Sequence, residues 1–103
     1  MTWQSYYQKK NVLVTGGSSG IGLALANRLM ELGANVFLLA RRQEALLEAE
    51  AGLQLHRQNA DQKTGILQAD VADHQAITAI LQAFTIDHGC PDILINSAGI
   101  THP

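Results

Sequence analysis

The run Thr15-Gly16-Gly17-Ser18-Ser19-Gly20-Ile21-Gly22 has the residue types and spacing to hold an anion. The first turn of a helix leaves backbone N–H groups unpaired and carries roughly half a positive charge, so a diphosphate laid against it is stabilised without a basic side chain. Close approach requires backbone free of side-chain bulk. Gly16 would supply the tight turn, Gly20 the near approach, and Gly22 would let the helix lie close to the sheet. The spacing is G-x-x-x-G-x-G rather than G-x-G-x-x-G. A glycine-rich turn that merely joins a strand to a helix is the plainer reading. The apolar strand before it, the helical segment after it and the repeated units beyond favour a dinucleotide site.

A second set of groups follows the next apolar run, where the chain reads Ala40-Arg41-Arg42. A carboxylate there would accept from a ribose 2′-hydroxyl and select NAD(H). None is present. A guanidinium fork matches the charge and geometry of a phosphate. Arg41, ahead of Arg42, is therefore expected to meet a 2′-phosphate, with Ser18 and Ser19 adding hydroxyl donors, and the expected cofactor is NADP(H) rather than NAD(H). The alternative is that both arginines are a solvated strand end. Tyr6 and Lys10 show a Y-x-x-x-K spacing, but they precede the first strand and read as coincidence. His56, His74, His88 and His102 are scattered. Asp70, Asp73 and His74 fit a capped helix start better than a metal site. Cys90 reads as an incidental or structural thiol. Trp3, Tyr6 and Tyr7 form an aromatic tip that either packs on the domain or touches a partner.

These groups need a scaffold, and the composition allows one. The chain has 103 residues, 47% hydrophobic and 16% charged, which excludes a disordered acidic tail and a coiled coil. Seven basic against nine acidic residues leave a net charge of -2, with no basic surplus for nucleic acid and no polybasic run. One cysteine cannot form an internal disulfide, which points to a reducing, cytoplasmic compartment. The first ten residues lack the apolar core of a signal peptide, and no apolar stretch of about 18 residues exists to span a bilayer.

Short apolar runs alternate with helical segments. Strands are expected over 11–15, 35–40, 65–70 and 92–96. The first helix should run to about Leu32 with Ile21, Leu25, Leu29 and Leu32 as its buried stripe, and Gly33 as its C-cap. A second helix is expected over 43–54. A third should place Ile77, Ile80, Leu81 and Phe84 on the sheet before Gly89 and Pro91 stop it. The order β-α-β-α-β-α-β with right-handed crossovers predicts an α/β fold: a Rossmann-type parallel sheet with helices on both faces, truncated after the fourth strand. Residues 1–103 then form a single unit, the N-terminal fragment of a longer domain, with a bare fourth-strand edge.

With Asp70-Val71 and Asn96-Ser97-Ala98-Gly99 added to the glycine run, the sequence resembles the N-terminal part of the short-chain dehydrogenase/reductase family from residue 11 to residue 99. The resemblance implies that Asp70 accepts from the adenine amino group and Val71 lines the ring. It implies that Asn96 mainly ties the sheet together, while Ala98 and Gly99 let the cofactor ribose lie close. Ser97 replaces the commoner second Asn. In similar proteins a basic residue at the place of Arg41 marks NADP(H). The family's catalytic Ser, Tyr and Lys would lie beyond this chain, which alone would then be inactive. The activity implied for the whole protein is reduction of a carbonyl, with homo-oligomerisation common. Within the family, the glycine run, Ala-Arg-Arg and Asn-Ser-Ala-Gly-Ile-Thr-His-Pro look most like 3-ketodihydrosphingosine reductases of sphingolipid synthesis. A 3-oxoacyl-carrier-protein reductase is the runner-up. An inactive nucleotide-binding fragment, or a truncated partner that associates through its open sheet edge, are the readings of another class.

Overall fold

The computed structural model describes residues 2–18 and 20–97. Its centre is a parallel sheet of β1 (Asn11–Thr15), β2 (Asn35–Ala40), β3 (Thr64–Gln68) and β4 (Ile93–Asn96), in the order β3-β2-β1-β4. The crossovers are α1 (Gly20–Glu31), α2 (Gln43–Leu53) and α3 (His74–His88). Short 3-10 turns occupy Gln4–Tyr7 and Gln54–His56.

The two central strands are buried on both faces, which is why Val12-Leu13-Val14 and Val36-Phe37-Leu38-Leu39 read as continuous apolar runs rather than alternating ones. Alternate side chains then separate into two cores. Val12, Val14, Val36 and Leu38 pack with Ala26, Leu29 and Met30 of α1 and Leu46, Ala49 and Leu53 of α2. Leu13, Phe37 and Leu39 pack with Phe84 of α3 on the other face. The rings of Phe37 and Phe84 meet edge to face at 4.8 Å. The chain winds outward from β1 through β2 to β3 and returns to the far side of β1 as β4. That reversal leaves a crevice at the carboxyl ends of β1 and β4.

The register of β1 pairs Val12 with Val36 and Ile93, and Thr15 with Leu39 and Asn96. It brings the ends of β1, β2 and β4 level. β4 pairs only with β1 among the described residues, and its Leu94 is 60% exposed.

Several boundaries match the sequence pattern, and one face does not. Gly33 stands in the left-handed region at φ +88° and ends α1, with Ala34 N–H donating to Leu29 O and Gly33 N–H to Met30 O. The expected stripe of α1 is rotated, however. Ile21 is 66% exposed and Leu25 39%, while Gly22, Ala26, Leu29 and Met30 are buried. Small side chains at Gly22 and Ala26 let the helix axis approach the sheet more closely than Ile21 and Leu25 would permit, so the larger residues are turned outward. β3 spans Thr64–Gln68 rather than 65–70, which leaves Asp70 in the turn beyond the strand. α2 ends one residue short of the expected 54 and continues as a 3-10 turn. In the aromatic tip, Tyr7 packs against the first core, while Trp3 and Tyr6 remain exposed.

Candidate functional site

A cleft of about 630 Å³ opens at the carboxyl ends of the strands. Cofactor sites commonly measure about 300–1,000 Å³. Gly16, Ser18, Gly20, Ile21, Gly22, Arg41, Arg42, Asp70 and Val71, all expected from sequence, line it. Ser19, Ala98 and Gly99 lie outside the described residues. Asn96 does not line the cleft; its neighbour Ser97 does, together with Leu39, Ala40 and Ala69, which sequence reasoning did not single out. Their signal was available: each sits at or next to the carboxyl end of a strand, where the crevice had to open.

The glycine loop is built as its chemistry requires. Gly16 has φ +71° and donates its N–H to Leu39 O at 2.8 Å, so it turns away from β1 while still tied to β2. Gly20 has φ +59°, and a Cβ there would project into open space. Such a Cβ would stand at the mouth of α1, whose first turn carries no carboxylate to oppose an anion. Gly22 is the tightest position. A Cβ on it would strike the Gly16 carbonyl oxygen and come within 2.5 Å of Ser97 Oγ. Gly17 also has a packing role, since its Cβ would lie 2.7 Å from Leu38 Cδ2 and 3.2 Å from Val14 O.

The β1–β4 seam fixes the floor. The Thr15 hydroxyl donates to Asn96 Oδ1 at 2.8 Å. Ser97 returns two bonds to Thr15 O, from its hydroxyl at 2.6 Å and its N–H at 3.1 Å. Asn96 and Ser97 thus each link the end of β4 to Thr15 of β1.

On the opposite wall, Arg41 Nη1 lies 3.8 Å from Asp70 Oδ2, with the two side chains 72% and 47% exposed. An ion pair so exposed holds little energy, about 0–1 kcal/mol, and leaves the guanidinium free to turn toward another anion. Gln68 Nε2 donates to Arg41 O at 3.0 Å and steadies the backbone below it. The helix cap that competed for Asp70 belongs to Asp73, whose carboxylate accepts from Ala76 N–H at 3.1 Å. Asp70 instead accepts from Ala72 N–H at 2.9 Å within its own turn, and its second oxygen faces Arg41.

Tyr6, Lys10, His88 and Cys90 do not line the cleft; His102 lies outside the described residues. Lys10 Nζ sits 5.0 Å above the Tyr6 ring, at the amino end of β1. His88 stacks on Phe37 and Phe84 at 4.7 and 4.9 Å. Cys90 is exposed. Among the described residues no group of three His, Cys, Asp or Glu side chains is placed to hold a metal ion.

The family model described as short chain dehydrogenase matches residues 10–103. The chain belongs to that family. Among curated relatives, the PIGF/3-ketodihydrosphingosine reductase fusion protein of Schizosaccharomyces pombe is 35% identical over 95 residues, 92% of this chain and 19% of the relative. The granaticin polyketide synthase putative ketoacyl reductase 1 of Streptomyces violaceoruber is 44% identical over 91 residues, 88% of this chain and 32% of the relative. Among solved structures, the L-sorbose reductase of Gluconobacter frateurii complexed with NADPH and L-sorbose superposes with a TM-score of 0.81 at 31% identity, covering 95% of this chain and 36% of that one. The chain therefore spans well under half the length of the proteins it resembles. These short-chain dehydrogenase relatives act on chemically different carbonyl compounds, so the likeness reaches the family and is not confined to sphingolipid reductases.

Proposed function

We propose that this chain is the NADP(H)-binding portion of a carbonyl reductase, the N-terminal unit of a longer short-chain dehydrogenase domain. The observation that carries the cofactor reading is Arg41 at the end of β2, facing the cleft, where an NAD(H) enzyme would place a carboxylate. The similarity to an L-sorbose reductase complexed with NADPH supports it. The cleft's size and the open space above Gly20 fit a dinucleotide.

In this reading the first-turn N–H groups of α1 hold the diphosphate, with Gly16, Gly20, Ile21 and Gly22 keeping the approach clear. Ser18, Ser19, Arg41 and Arg42 take the 2′-phosphate. Asp70 accepts from the adenine amino group, and Val71 covers the ring. Asn96 holds the β4 seam while Ala98 and Gly99 pass beside the ribose. The cofactor supplies the hydride; the chain's share is to orient it. Groups that protonate the substrate lie outside these elements, because Tyr6 and Lys10 stand at the wrong end of the sheet. The chain alone therefore binds cofactor without turnover, and the whole protein assembles as a homo-oligomer in the cytoplasm.

The substrate we favour is a long-chain 3-keto amine such as 3-ketodihydrosphingosine, supported by the likeness to the fission-yeast fusion protein. A β-ketoacyl thioester is the second reading, supported by the likeness to the granaticin ketoacyl reductase.

Titration calorimetry with NADPH and NADH tests the cofactor reading. NADPH should bind at least about tenfold more tightly, about 1.4 kcal/mol, and Arg41→Asp should abolish or reverse that preference. An unchanged ratio in Arg41→Asp refutes the assignment of Arg41. Failure of the wild-type chain to bind either coenzyme refutes the dinucleotide site itself.

A further inference from the structure

We infer that Gln68, which does not line the cleft, is a positioning residue for coenzyme preference: it fixes the peptide from which Arg41 projects. The inference rests on the proposed role of Arg41. The chain crosses from β2 to α2 through Arg41 and Arg42 alone. Three successive carbonyls along that crossing accept hydrogen bonds. Ala40 O accepts from Ala69 N–H at 2.9 Å, and Arg42 O from Leu46 N–H at 3.0 Å, both main-chain bonds supplied by the sheet and the helix. Arg41 O lies between them, past the strand and before the helix, where neither supplies a donor. Gln68 Nε2 fills that gap at 3.0 Å. Among the described residues it is the one donor to that carbonyl.

The register explains why the side chain at position 68 reaches. β2 and β3 are parallel and pair Ala40 with Gln68, so Gln68 stands beside the point where Arg41 leaves the sheet. Its two methylenes carry the amide across to the next carbonyl. A carboxylate at this position cannot donate, and an asparagine is one methylene shorter. Ala69 and Asp70 line the cleft and Gln68 does not, so a substitution at 68 leaves the lining atoms in place.

The two partners of the ion pair on this wall are held unequally. Asp70 is fixed within its own turn, where its Oδ1 accepts from Ala72 N–H and its carbonyl from Asp73 N–H, both at 2.9 Å. The Arg41 side chain is 72% exposed, and its contact with Asp70, at 3.8 Å, is too long and too open to water to hold it. Where the guanidinium can reach is therefore set by its peptide. A fork that takes a phosphate through two parallel bonds needs a steady base, and a base already ordered before binding lowers the ordering cost of the complex. Loss of the Gln68 bond transfers that cost to the complex with NADPH. NADH, which carries no 2′-phosphate for the fork, incurs none of it.

Gln68→Met keeps the length of the side chain and removes the donor. In the 103-residue chain, titration calorimetry should show NADPH affinity lowered about two- to tenfold, the reach of one net hydrogen bond, with NADH affinity and the urea midpoint unchanged. In an Arg41→Ala background the same substitution should leave NADPH affinity unaltered, because the bond acts only through that side chain. Without coenzyme, NMR relaxation should show the Arg42 amide, which shares a peptide plane with the Arg41 carbonyl, to be more mobile in Gln68→Met than in the wild type. A wild type that prefers NADPH, loses the preference in Arg41→Ala and keeps it undiminished in Gln68→Met overturns this inference and leaves the cofactor reading standing. Equal weakening of both coenzymes, a lower midpoint or unchanged Arg42 mobility makes Gln68 a clip of the sheet edge and overturns it too. A wild type that binds neither coenzyme removes the cofactor reading and this inference with it.

Discussion

Two glycine-to-alanine substitutions should move stability in opposite directions. In Gly22→Ala the new methyl group meets the Gly16 carbonyl oxygen and Ser97 Oγ. Neither neighbour can step aside at low cost. Gly16 is tied to Leu39 O at 2.8 Å, and the Ser97 hydroxyl to Thr15 O at 2.6 Å. Forcing an extra carbon into such packing costs about 1–3 kcal/mol. Alanine's better helix propensity returns at most about 1 kcal/mol, and less in the first turn. A net loss of about 1–2 kcal/mol is expected. Gly52 lies within α2 at ordinary φ, and a methyl group added to it would meet nothing within 4 Å, so Gly52→Ala should stabilise the fold by about 0.5–1 kcal/mol. Urea unfolding followed by far-UV circular dichroism reads both. With a slope of about 1–3 kcal/mol/M, the Gly22→Ala midpoint should fall by about 0.3–2 M and the Gly52→Ala midpoint should rise. Calorimetry should show NADPH affinity lost in Gly22→Ala, because Gly16 and Ser97 both line the cleft, and retained in Gly52→Ala. A Gly22→Ala protein that matches the wild type in midpoint and affinity would refute the steric account.

Two further outcomes follow from groups outside the cleft. Gln62 is 5% exposed and its side chain makes four bonds to backbone atoms: its amide donates to Ala34 O at 2.7 Å and Met30 O at 3.0 Å, and its carbonyl accepts Gln58 N–H at 2.6 Å and Asn59 N–H at 2.9 Å. Gln62→Leu keeps the bulk but strands these partners, so a loss of about 2–4 kcal/mol is expected, measured as a lower urea midpoint at unchanged slope. Glu31 receives hydrogen bonds from Arg28 first and His56 second, which hold its carboxyl below the ordinary value of 4.5. A carboxyl lowered in the folded state adds stability that is complete above the unfolded value and is lost as pH falls through the folded one. Between pH 6 and 3 the wild-type midpoint should therefore fall more steeply than that of Glu31→Gln; parallel curves would show that the Arg28 and His56 bonds do not act on Glu31 in solution.

What the sequence disclosed, and what it withheld, divides along a physical line. The strands were legible because β1 and β2 are buried on both faces, so unbroken runs such as Val12-Leu13-Val14 could be nothing else of that length. The glycine loop was legible because positive φ at Gly16 and Gly20 and the crowding at Gly22 each exclude a side chain. The buried face of α1 was not. Periodicity weighs large apolar residues, whereas a helix that closes on a sheet through Gly22 and Ala26 hides its small ones and leaves Ile21 outward, on the cleft wall. Gln62 was illegible for a different reason: its partners are backbone atoms of Met30, Ala34, Gln58 and Asn59, and no side-chain pattern records them. The competition between Asp70 and Asp73 for the α3 cap could be settled only by geometry, since either residue type serves.

That settlement bears on the proposed cofactor preference. Once Asp73 caps α3, the Asp70 carboxylate is left beside Arg41 at 3.8 Å, across the mouth of the cleft. Two opposite charges this exposed attract weakly, and their pairing is easily exchanged. A 2′-phosphate, with nearly two negative charges and a geometry that takes the guanidinium fork, should displace the carboxylate from Arg41. The carboxylate then turns free to accept from an adenine amino group. A 2′-hydroxyl offers no such exchange, because it cannot outcompete a carboxylate for a cation. Discrimination between the two coenzymes in this reading is a contest between anions for one guanidinium. Asp70→Asn keeps an acceptor oxygen for the adenine amino group but removes the competing charge, so it should leave NADPH binding unchanged or tighten it while leaving the dependence on Arg41 intact. If Asp70→Asn instead erased the NADPH preference as completely as Arg41→Asp, the two residues would act as one unit and the exchange argument would fail.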